Sequence, residues 1–442
     1  MRPTGLAIAL AAGGLLIALL PAAVEPRLWP YWPVFLIAFT AVLGAEAFLL
    51  PRRSGVTVTA EAPRTLGIGE SGAVHLTVTV PAGRRLARLA VRVALDLSDL
   101  LVPQPPQTAF AETGETGLTF ALVFALVPRR RGVALIERAW VRYTGPLHLL
   151  AAVVVRELGR EAEVVPNLAP VRDAALRFAD DRTFRAGLKI ERFAGDGSEF
   201  ESLREHVQGD DPRTIDWKAT ARHKKLVSRR YQAERNHQII LALDTGRLMS
   251  EPVAGIPKLD HAVTTALYLS YVSLRAGDRV GWITFDARVG SFAEPRSGVN
   301  AFGVLAQRAS RIRYASGETN FTLGLTALAQ RLTRRSLVVV LTDFVDTVTA
   351  ELMVENLDRL ARRHAVVFVA LRDPSLAAIA GRYPADLAAL NRAVVAGTLL
   401  RDRDVVLRRL SRQGIEPIDA APSEVTPRLI NTYLEIKRRE RI

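Results

Sequence analysis

The chain has 442 residues, of which 49% are hydrophobic and 24% are charged. At roughly 100 to 200 residues per domain, this length predicts two or three domains, and the apolar content excludes a chain that is disordered throughout. No cysteine is present, which excludes disulfide scaffolds, thiolate metal sites and cysteine nucleophiles. The net charge of +14 suits an anionic membrane surface, an acidic protein or a nucleic acid, and does not choose among them.

Two long apolar runs, Leu6–Val24 and Tyr31–Leu50, stand near the N-terminus. About 20 helical residues are enough to cross a hydrocarbon core of about 30 Å. Residues 1–54 are therefore predicted to form a transmembrane helix hairpin. A cleaved signal peptide is the alternative for the first run, because Arg2 precedes it and the small-residue site Pro21-Ala22-Ala23 lies near its end.

The distribution of arginine around these runs predicts the orientation. Arg2 precedes the first run, Arg52 and Arg53 follow the second, and Arg27 alone lies between them. By the positive-inside rule, we expect a two-pass protein of the plasma (inner) membrane with both termini and the soluble domains in the cytoplasm. Glu46 falls inside the second run, where we expect it to reach the membrane interface; pairing with another subunit is the alternative.

Residues 55–170 alternate between apolar and polar with period two, interrupted by Pro and Gly turns. This pattern predicts an all-β sandwich of roughly seven strands. The basic stretch Arg129–Gly132 is interpreted as an exposed hairpin tip, with an acidic partner or lipid as the alternative contact.

Residues 171–235 are a charged connecting region, and residues 236–442 alternate short apolar runs with amphipathic stretches. That alternation predicts a doubly wound α/β domain with a mainly parallel sheet. The predicted strands are 238–243, 279–285, 336–342 and 365–371, with 288–292 as an antiparallel edge. The predicted helices are 258–274, 301–311, 323–332, 351–363, 404–413 and 426–439.

Three oxygen-bearing side chains fall in loops at the carboxyl ends of the predicted strands: Asp244, Thr319 and Asp343. Ligands bind at this edge of open α/β sheets, and two carboxylates with a hydroxyl suit Mg²⁺. The three residues are therefore a candidate magnesium site. The alternative is that each Asp only caps a neighbouring loop.

This arrangement resembles a von Willebrand factor A domain, whose metal-dependent adhesion site has the pattern Asp-x-Ser-x-Ser, then a Thr, then an Asp. Asp244, Thr319 and Asp343 match the first Asp, the Thr and the last Asp, whereas Gly246 and Leu248 replace the two serines. The resemblance implies the fold and, with two hydroxyls lost, a degenerate site in which Mg²⁺ is the only candidate cofactor.

A longer resemblance lies upstream, in residues 197–205 (GSEFESLRE) and 209–222 (GDDPRTIDWKATAR). These segments are similar to the signature of domain-of-unknown-function family 58, whose members combine a membrane hairpin, a β-rich domain and a von Willebrand factor A-like domain. The family implies association with MoxR-type AAA+ ATPases that assemble or remodel protein complexes, and it implies no enzymatic activity. Its signature residues here are Glu199, Glu201, Arg204, Asp210, Asp211, Arg213, Asp216, Trp217, Lys218 and Arg222.

Two structural interpretations and one enzymatic alternative remain open for this signature. Its opposite charges around Trp217 predict either a buried ion network between domains or a surface that binds a partner, while Asp210 or Asp211 before Pro212 predicts a helix start. Asp211 with the Asp216-x-Lys218 pattern also imitates a Mg²⁺-dependent nuclease, which would need that pattern on a strand.

The sequence as a whole predicts a non-enzymatic, membrane-anchored scaffold or adaptor that binds proteins, with a MoxR-type AAA+ ATPase as the expected partner and no nucleic acid. Metal-dependent adhesion is the first alternative, and a Mg²⁺-dependent nuclease or hydrolase is the second. P-loop, nucleophile-elbow and zincin motifs are absent from the sequence, so the ATPase, serine hydrolase and zinc protease classes lack their minimum parts.

Overall fold

The computed structural model describes residues 1–24, 31–81, 89–110, 112–114, 117–180, 194–207, 212, 215–223, 225–232, 237–345 and 347–439. The chain divides into two compact units, Met1–Asn167 and Leu168–Ile442. The division falls close to the predicted boundary at residue 170. The predicted connecting region, 171–235, lies in the same unit as the α/β domain.

The first unit begins with two apolar helices, α1 (Gly5–Val24) and α2 (Tyr31–Leu49). Among the described residues, one helical segment, Trp32–Gly55, is long and apolar enough to cross a membrane, and a shorter apolar helical segment covers Gly5–Ile17. Glu46 of α2 is fully buried and accepts backbone hydrogen bonds from within the same unit. Protein groups, rather than lipid headgroups or another subunit, therefore hold this carboxylate.

The rest of the first unit consists of two sheets with the strand orders β1-β10-β9-β5-β6 and β2-β4-β8-β7, and β3 also pairs with β10. Alternate residues such as Val78 and Phe120 in one sheet, and Val91 and Val141 in the other, are fully buried, which is the pattern of sheets that each bury one face. The all-β prediction for this region is confirmed. The strands are β1 (Arg2–Pro3), β2 (Thr57–Glu61), β3 (Thr65–Gly67), β4 (Gly72–Pro81), β5 (Ala90–Leu97), β6 (Gln107–Phe110), β7 (Glu112–Gly114), β8 (Gly117–Leu126), β9 (Gly132–Thr144) and β10 (Leu150–Val165).

The second unit opens with helix α3 (Ala169–Asp180) and a two-stranded antiparallel sheet of β11 (Ala194–Glu205) and β12 (Val227–Gln232). Between these strands lies the short helix α4 (Trp217–His223). The charged segment 197–222 therefore begins on a strand and ends on a helix.

A six-stranded sheet forms the centre of the second unit, with strand order β17-β16-β13-β18-β19-β20. All neighbours are parallel except β17, which pairs antiparallel with β16 at the edge, as predicted. Both faces of the sheet are covered by apolar side chains, as expected of parallel strands flanked by helices. The strands are β13 (Gln238–Asp244), β16 (Arg279–Phe285), β17 (Val289–Arg296), β18 (Leu337–Leu341), β19 (Ala365–Leu371) and β20 (Glu416–Ala420), and a small separate pair is β14 (Pro252–Val253) with β15 (Ile256–Pro257).

The helices around this sheet begin within a few residues of their predicted positions, with two exceptions. The prediction 404–413 covers only the end of a helix that begins at residue 387, and the helix at 374–381 was not predicted. The helices are α5 (Lys258–Arg275), α6 (Asn300–Ser310), α7 (Phe321–Arg331), α8 (Thr347–Ala361), α9 (Pro374–Gly381), α10 (Leu387–Arg412) and α11 (Pro422–Arg438).

Candidate functional site

The three predicted site residues lie at the carboxyl edge of the parallel sheet. Asp244 is the last residue of β13, Asp343 comes just after β18, and Thr319 lies in the loop before α7. The Thr319 hydroxyl donates a hydrogen bond of 2.7 Å to Oδ1 of Asp244. All three residues therefore lie at the sheet edge that their strand-end positions predict.

Asp244 is an interior carboxylate that holds the neighbouring loops together. Its Oδ1 also accepts a hydrogen bond of 2.8 Å from the Gly246 backbone N–H, and its Oδ2 accepts one of 2.5 Å from the Thr342 hydroxyl. Burial raises the pKa of Asp244, and the nearby charge of Asp343 raises it further. The hydrogen bonds from Thr342, Thr319 and Gly246 oppose this rise. Asp244 therefore acts as a hydrogen-bond acceptor that joins the loops at this edge of the sheet.

Gly246 explains in part why the adhesion pattern is incomplete. A Cβ atom at this position would collide with the Thr319 hydroxyl and would also approach Asp244. A serine, as in the von Willebrand factor A pattern, would therefore require Thr319 to move out of its hydrogen bond with Asp244. The direct hydrogen bond between Thr319 and Asp244 therefore depends on glycine at position 246.

Asp343 is held by two cationic side chains, the buried Lys258 and the partly buried Arg403. Its Oδ2 lies 2.7 Å from Nζ of Lys258, and its Oδ1 lies 2.6 Å from Nη1 of Arg403 and accepts the Phe344 backbone N–H at 3.0 Å. Arg403 also donates to Asp419 at 3.0 Å. Burial opposes the charge on Arg403, but Asp343 and Asp419 outweigh it and raise the pKa of this guanidinium.

The described geometry does not fit a resident Mg²⁺ ion. Magnesium needs carboxylate and hydroxyl oxygens that point into one open octahedral shell. Here both oxygens of Asp343 face the cations of Lys258 and Arg403, both oxygens of Asp244 accept hydrogen bonds, and Leu248 offers no ligand. The positive charge that an adhesion site would take from a metal is supplied at Asp343 by the chain itself.

Two open grooves meet beside this site. One has a volume of about 680 Å³ and the other a volume of about 320 Å³. Both are lined by Asp343, Phe344 and Val345. The larger groove, called the top groove below, is otherwise lined by Arg247, Leu248, Ala287, Glu318, Thr319, Asn320, Phe321, Thr322 and Leu352.

The lining of the top groove is mostly apolar, and part of it faces solvent. Val345 is 42% exposed and Leu352, which projects from α8, is 59% exposed. Ligand grooves in α/β proteins combine such apolar walls with a few polar groups. This groove therefore suits an apolar segment more than a charged one.

Around Trp217, the side chains of the charged segment 197–222 that the structure describes are mostly exposed. The Trp217 side chain is 70% exposed, and Lys218 and Arg222 are exposed on the same helix. Asp216 accepts hydrogen bonds of 3.0 Å from the backbone N–H groups of Lys218 and Ala219, so it caps the N-terminus of α4. Glu199, Glu201 and Arg204 lie on β11, whereas Asp210, Asp211 and Arg213 fall outside the described residues.

The nuclease arrangement is not supported by this geometry. Asp216 and Lys218 lie at the start of a helix, whereas the chemistry requires them on a strand. The predicted helix start at Asp210 or Asp211 falls outside the described residues, and the described helix that follows it begins at Trp217.

Two cations that no sequence pattern indicates, Lys258 and Arg403, decide the character of the site. Lys258 opens α5, and Arg403 lies on α10, far from Asp343 along the chain. A lysine at a helix start and an arginine in a charged helix carry no signal that distinguishes them from exposed residues. Only the three-dimensional arrangement brings them to Asp343.

His261, one turn after Lys258 on α5, gives a prediction for pH dependence. Burial lowers the pKa of His261, although its contacts with Val253 and Asp260 oppose the shift. The unfolded chain therefore binds a proton at this histidine more readily than the folded protein does. The contribution of neutral His261 to the free energy of unfolding is present above its ordinary pKa of about 6.5 and is lost as the pH falls below that value. We expect His261→Gln to flatten the decline in unfolding free energy between about pH 7 and 5, as measured by denaturant titration. An unchanged slope would contradict the prediction.

Part of the chain matches a protein-family model. The model described as "Protein of unknown function DUF58" matches residues 202–391. Uncharacterized proteins of Mycobacterium bovis and Mycobacterium tuberculosis are each 25% identical over 182 residues, which is 41% of this chain and 56% of theirs. The chain thus spans about half the length of the curated relatives it matches.

Two solved structures show weak similarity. The conserved hypothetical protein BatB from Bacteroides thetaiotaomicron is 13% identical with a TM-score of 0.26, covering 43% of this chain and 94% of that one. An uncharacterized membrane spanning protein from Vibrio fischeri is 13% identical with a TM-score of 0.16, covering 46% and 99%. TM-scores this far below 0.5 do not establish a common fold.

Proposed function

We propose that this chain is a membrane-anchored, non-enzymatic adaptor that binds a protein partner through the top groove. The observation that carries the proposal is an open, largely apolar groove beside an Asp343 whose charge is already neutralised by Lys258 and Arg403. A site closed in this way can contact a partner through apolar area without a metal. It lacks the open coordination position that metal-assisted chemistry needs.

The domain that carries the groove is proposed to be of the von Willebrand factor A type. The parallel sheet with one antiparallel edge strand supports this assignment. So does the placement of Asp244, Thr319 and Asp343 together at the carboxyl edge, where open α/β sheets bind ligands. The Lys258 and Arg403 cations make it a variant in which the chain supplies the charge.

The proposed partner is a MoxR-type AAA+ ATPase, and the contact is made by an apolar segment of that ATPase. The family match over residues 202–391 supports the pairing, because association with such ATPases is what the family-58 resemblance implies. The exposed Trp217 on the signature helix supports a second contact, since exposed tryptophans are enriched where proteins bind each other.

The membrane anchor is proposed to have two passes, with both termini and the soluble units in the cytoplasm. The apolar helical segment Trp32–Gly55 supports one pass, and the 20-residue apolar helix α1 supports the other. The cytoplasmic orientation is supported by the arginines before the first apolar run and after the second, which outnumber the single arginine between the runs. Such an anchor would hold the partner-binding unit at the inner face of the plasma membrane.

A groove variant tests the proposal. Leu352→Glu places a charge in the exposed apolar wall of the top groove, and because burying an unpaired carboxylate is costly we expect affinity for the ATPase to fall about tenfold or more. The measurement is equilibrium binding of the purified MoxR-type ATPase of the same organism to the full chain in lipid nanodiscs.

Val405→Glu is the matched control, because Val405 is 53% exposed against 59% for Leu352 and does not line the top groove. We expect it to bind as the wild type does, and we expect EDTA to leave binding unchanged. Equal loss in both variants, or none in either, would contradict the groove as the binding surface. Loss of binding on adding EDTA would instead favour metal-dependent adhesion.

A further inference from the structure

Both apolar helices are fastened to one turn of the β-rich unit, residues 145–150, called the mounting turn below. On the α2 side, Glu46 accepts hydrogen bonds from the backbone N–H groups of Leu147 and Leu149, each at 3.2 Å, and of Leu150 at 3.0 Å. A fully buried carboxylate with three backbone donors is a strong attachment, since charge-assisted hydrogen bonds are the stronger class.

The N-terminus of α1 is fastened to the same turn. The Thr4 hydroxyl donates to the backbone oxygen of His148 at 2.6 Å, and the Thr4 backbone N–H donates to that of Leu149 at 2.9 Å. Arg2 and Pro3 extend the sheet by pairing with β10. The start of one apolar helix and the end of the other therefore converge on the mounting turn.

The backbone of the mounting turn is shaped for this contact. A Cβ atom at Gly145 would collide with the Glu46 carboxylate, so glycine permits the close approach. His148 has a φ of 57°, a left-handed conformation that costs a non-glycine residue energy. This conformation is retained where the turn meets Thr4 and Glu46.

The outer surface of the mounting turn is apolar at residues 146 and 147, and basic residues flank the two helices that it holds. Leu147 is 51% exposed, and Pro146 beside it is also exposed. The exposed arginines Arg2, Arg52 and Arg53 belong to the chain segments that flank α1 and α2. Exposed apolar side chains on the turn and arginines at the helix ends match the headgroup layer of a bilayer, where apolar groups enter the acyl boundary and arginines meet phosphates.

We infer that the mounting turn is a membrane-surface contact that fixes the β-rich unit against the bilayer. Leu147 lies in the headgroup layer, Arg2, Arg52 and Arg53 contact lipid phosphates, and Glu46 and Thr4 prevent the unit from swinging on a flexible tether. This inference rests on the proposed membrane anchor, because α1 and α2 must span the bilayer for the turn to reach its surface.

Site-directed spin labelling tests the inference, and the absence of native cysteine makes each single-cysteine label unique. Leu147→Cys reports on the mounting turn. Val133→Cys is its matched control, because Val133 is 54% exposed and lies at the opposite end of β9. Ile37→Cys reports on α2 itself. Each full-length protein is reconstituted in phosphatidylcholine and phosphatidylglycerol nanodiscs, and label collisions with oxygen and with an aqueous nickel reagent are compared.

The three labels separate failure of the inference from failure of the anchor. We expect the label at residue 37 to report the acyl region, the label at 147 to report the headgroup layer, and the label at 133 to report water. A label at 147 as accessible to nickel as the one at 133, with 37 in lipid, would overturn the membrane contact and leave the anchor standing. A label at 37 in water would refute the anchor itself.

The role of Glu46 is tested by the distance between labels at residues 37 and 147. We expect a narrow distribution in the otherwise unaltered chain and a broad one in Glu46→Ala, with Glu46→Gln between them because the amide retains one acceptor. Glu161→Ala, which alters an exposed glutamate on β10, should leave the distribution narrow. A distribution unchanged by both Glu46 variants would overturn the mount.

Discussion

Replacing Asp343 by alanine should lower the free energy of unfolding by about 3 to 5 kcal/mol, because removing one partner of a buried ion pair leaves its counter-charges uncompensated. Lys258 and Arg403 both direct donors at this carboxylate, and their side chains are only 11% and 13% exposed. Arg403 retains Asp419, whereas Lys258 retains Glu251 at 3.4 Å as its acidic partner among the described residues. The measurement is a denaturant titration of the full chain in detergent, with tryptophan fluorescence as the signal that monitors unfolding.

The matched control is Asp404→Ala, which removes the acid of an exposed pair with Arg408. An exposed pair of this kind contributes about 0 to 1 kcal/mol, so the two variants should differ clearly. A metal-dependent adhesion site predicts the reverse for Asp343→Ala, namely a stable fold with lost binding. An Asp343→Ala variant as stable as the wild type would therefore contradict the closed site.

The strands of the α/β unit were predicted to within about one residue where they are central and parallel. Such strands are buried on both faces and form continuous apolar runs, as in Leu337–Leu341. The edge strand Glu416–Ala420 was missed because its sequence, EPIDA, contains two charges and a proline. Its place in the sheet is given by pairing with β19, which is a long-range contact without a local signal.

The long helix α10 shows a second limit of sequence patterns. Only its later part, including Val406 and Leu410, packs against the sheet, and that part was predicted from its apolar spacing. Its first half exposes Leu387, Val394 and Val395, so the pattern of one buried stripe does not hold there. Helix starts without such a stripe are poorly defined by sequence.

The residues of the site also differ in how far the sequence predicts them. Asp244, Thr319 and Asp343 were placed correctly because strand order alone brings strand ends to one edge. The character of the site depends instead on Lys258 and Arg403, which arrive from helices at other points in the chain. A one-dimensional pattern therefore located the acids and could not supply their counter-charges.

At the amino edge of the same sheet, a second buried acid is expected to matter as much as Asp343. Asp278 is fully buried just before β16 and accepts the Tyr433 hydroxyl at 2.6 Å and Nζ of Lys437 at 2.9 Å. Both partners lie on α11, so this carboxylate fastens the last described helix to the sheet. Burial is the larger cause and the neighbouring charge of Asp278 the smaller one of a rise in the pKa of Tyr433 well above its ordinary value. The hydroxyl therefore stays protonated and can donate its hydrogen bond.

Asp278→Ala should therefore lower the free energy of unfolding by about 3 to 5 kcal/mol, whereas Tyr433→Phe, which removes one hydrogen bond to a charged group, should cost about 1.5 to 3 kcal/mol. Glu424→Ala is the control on the same helix, because its pair with Arg428 is about half exposed and worth about 1 kcal/mol at most. The same denaturant titration measures all three. If Asp278→Ala cost no more than Glu424→Ala, the buried acid would not be what holds α11 in place, and the apolar contacts of Val425, Leu429 and Ile430 would have to hold it alone.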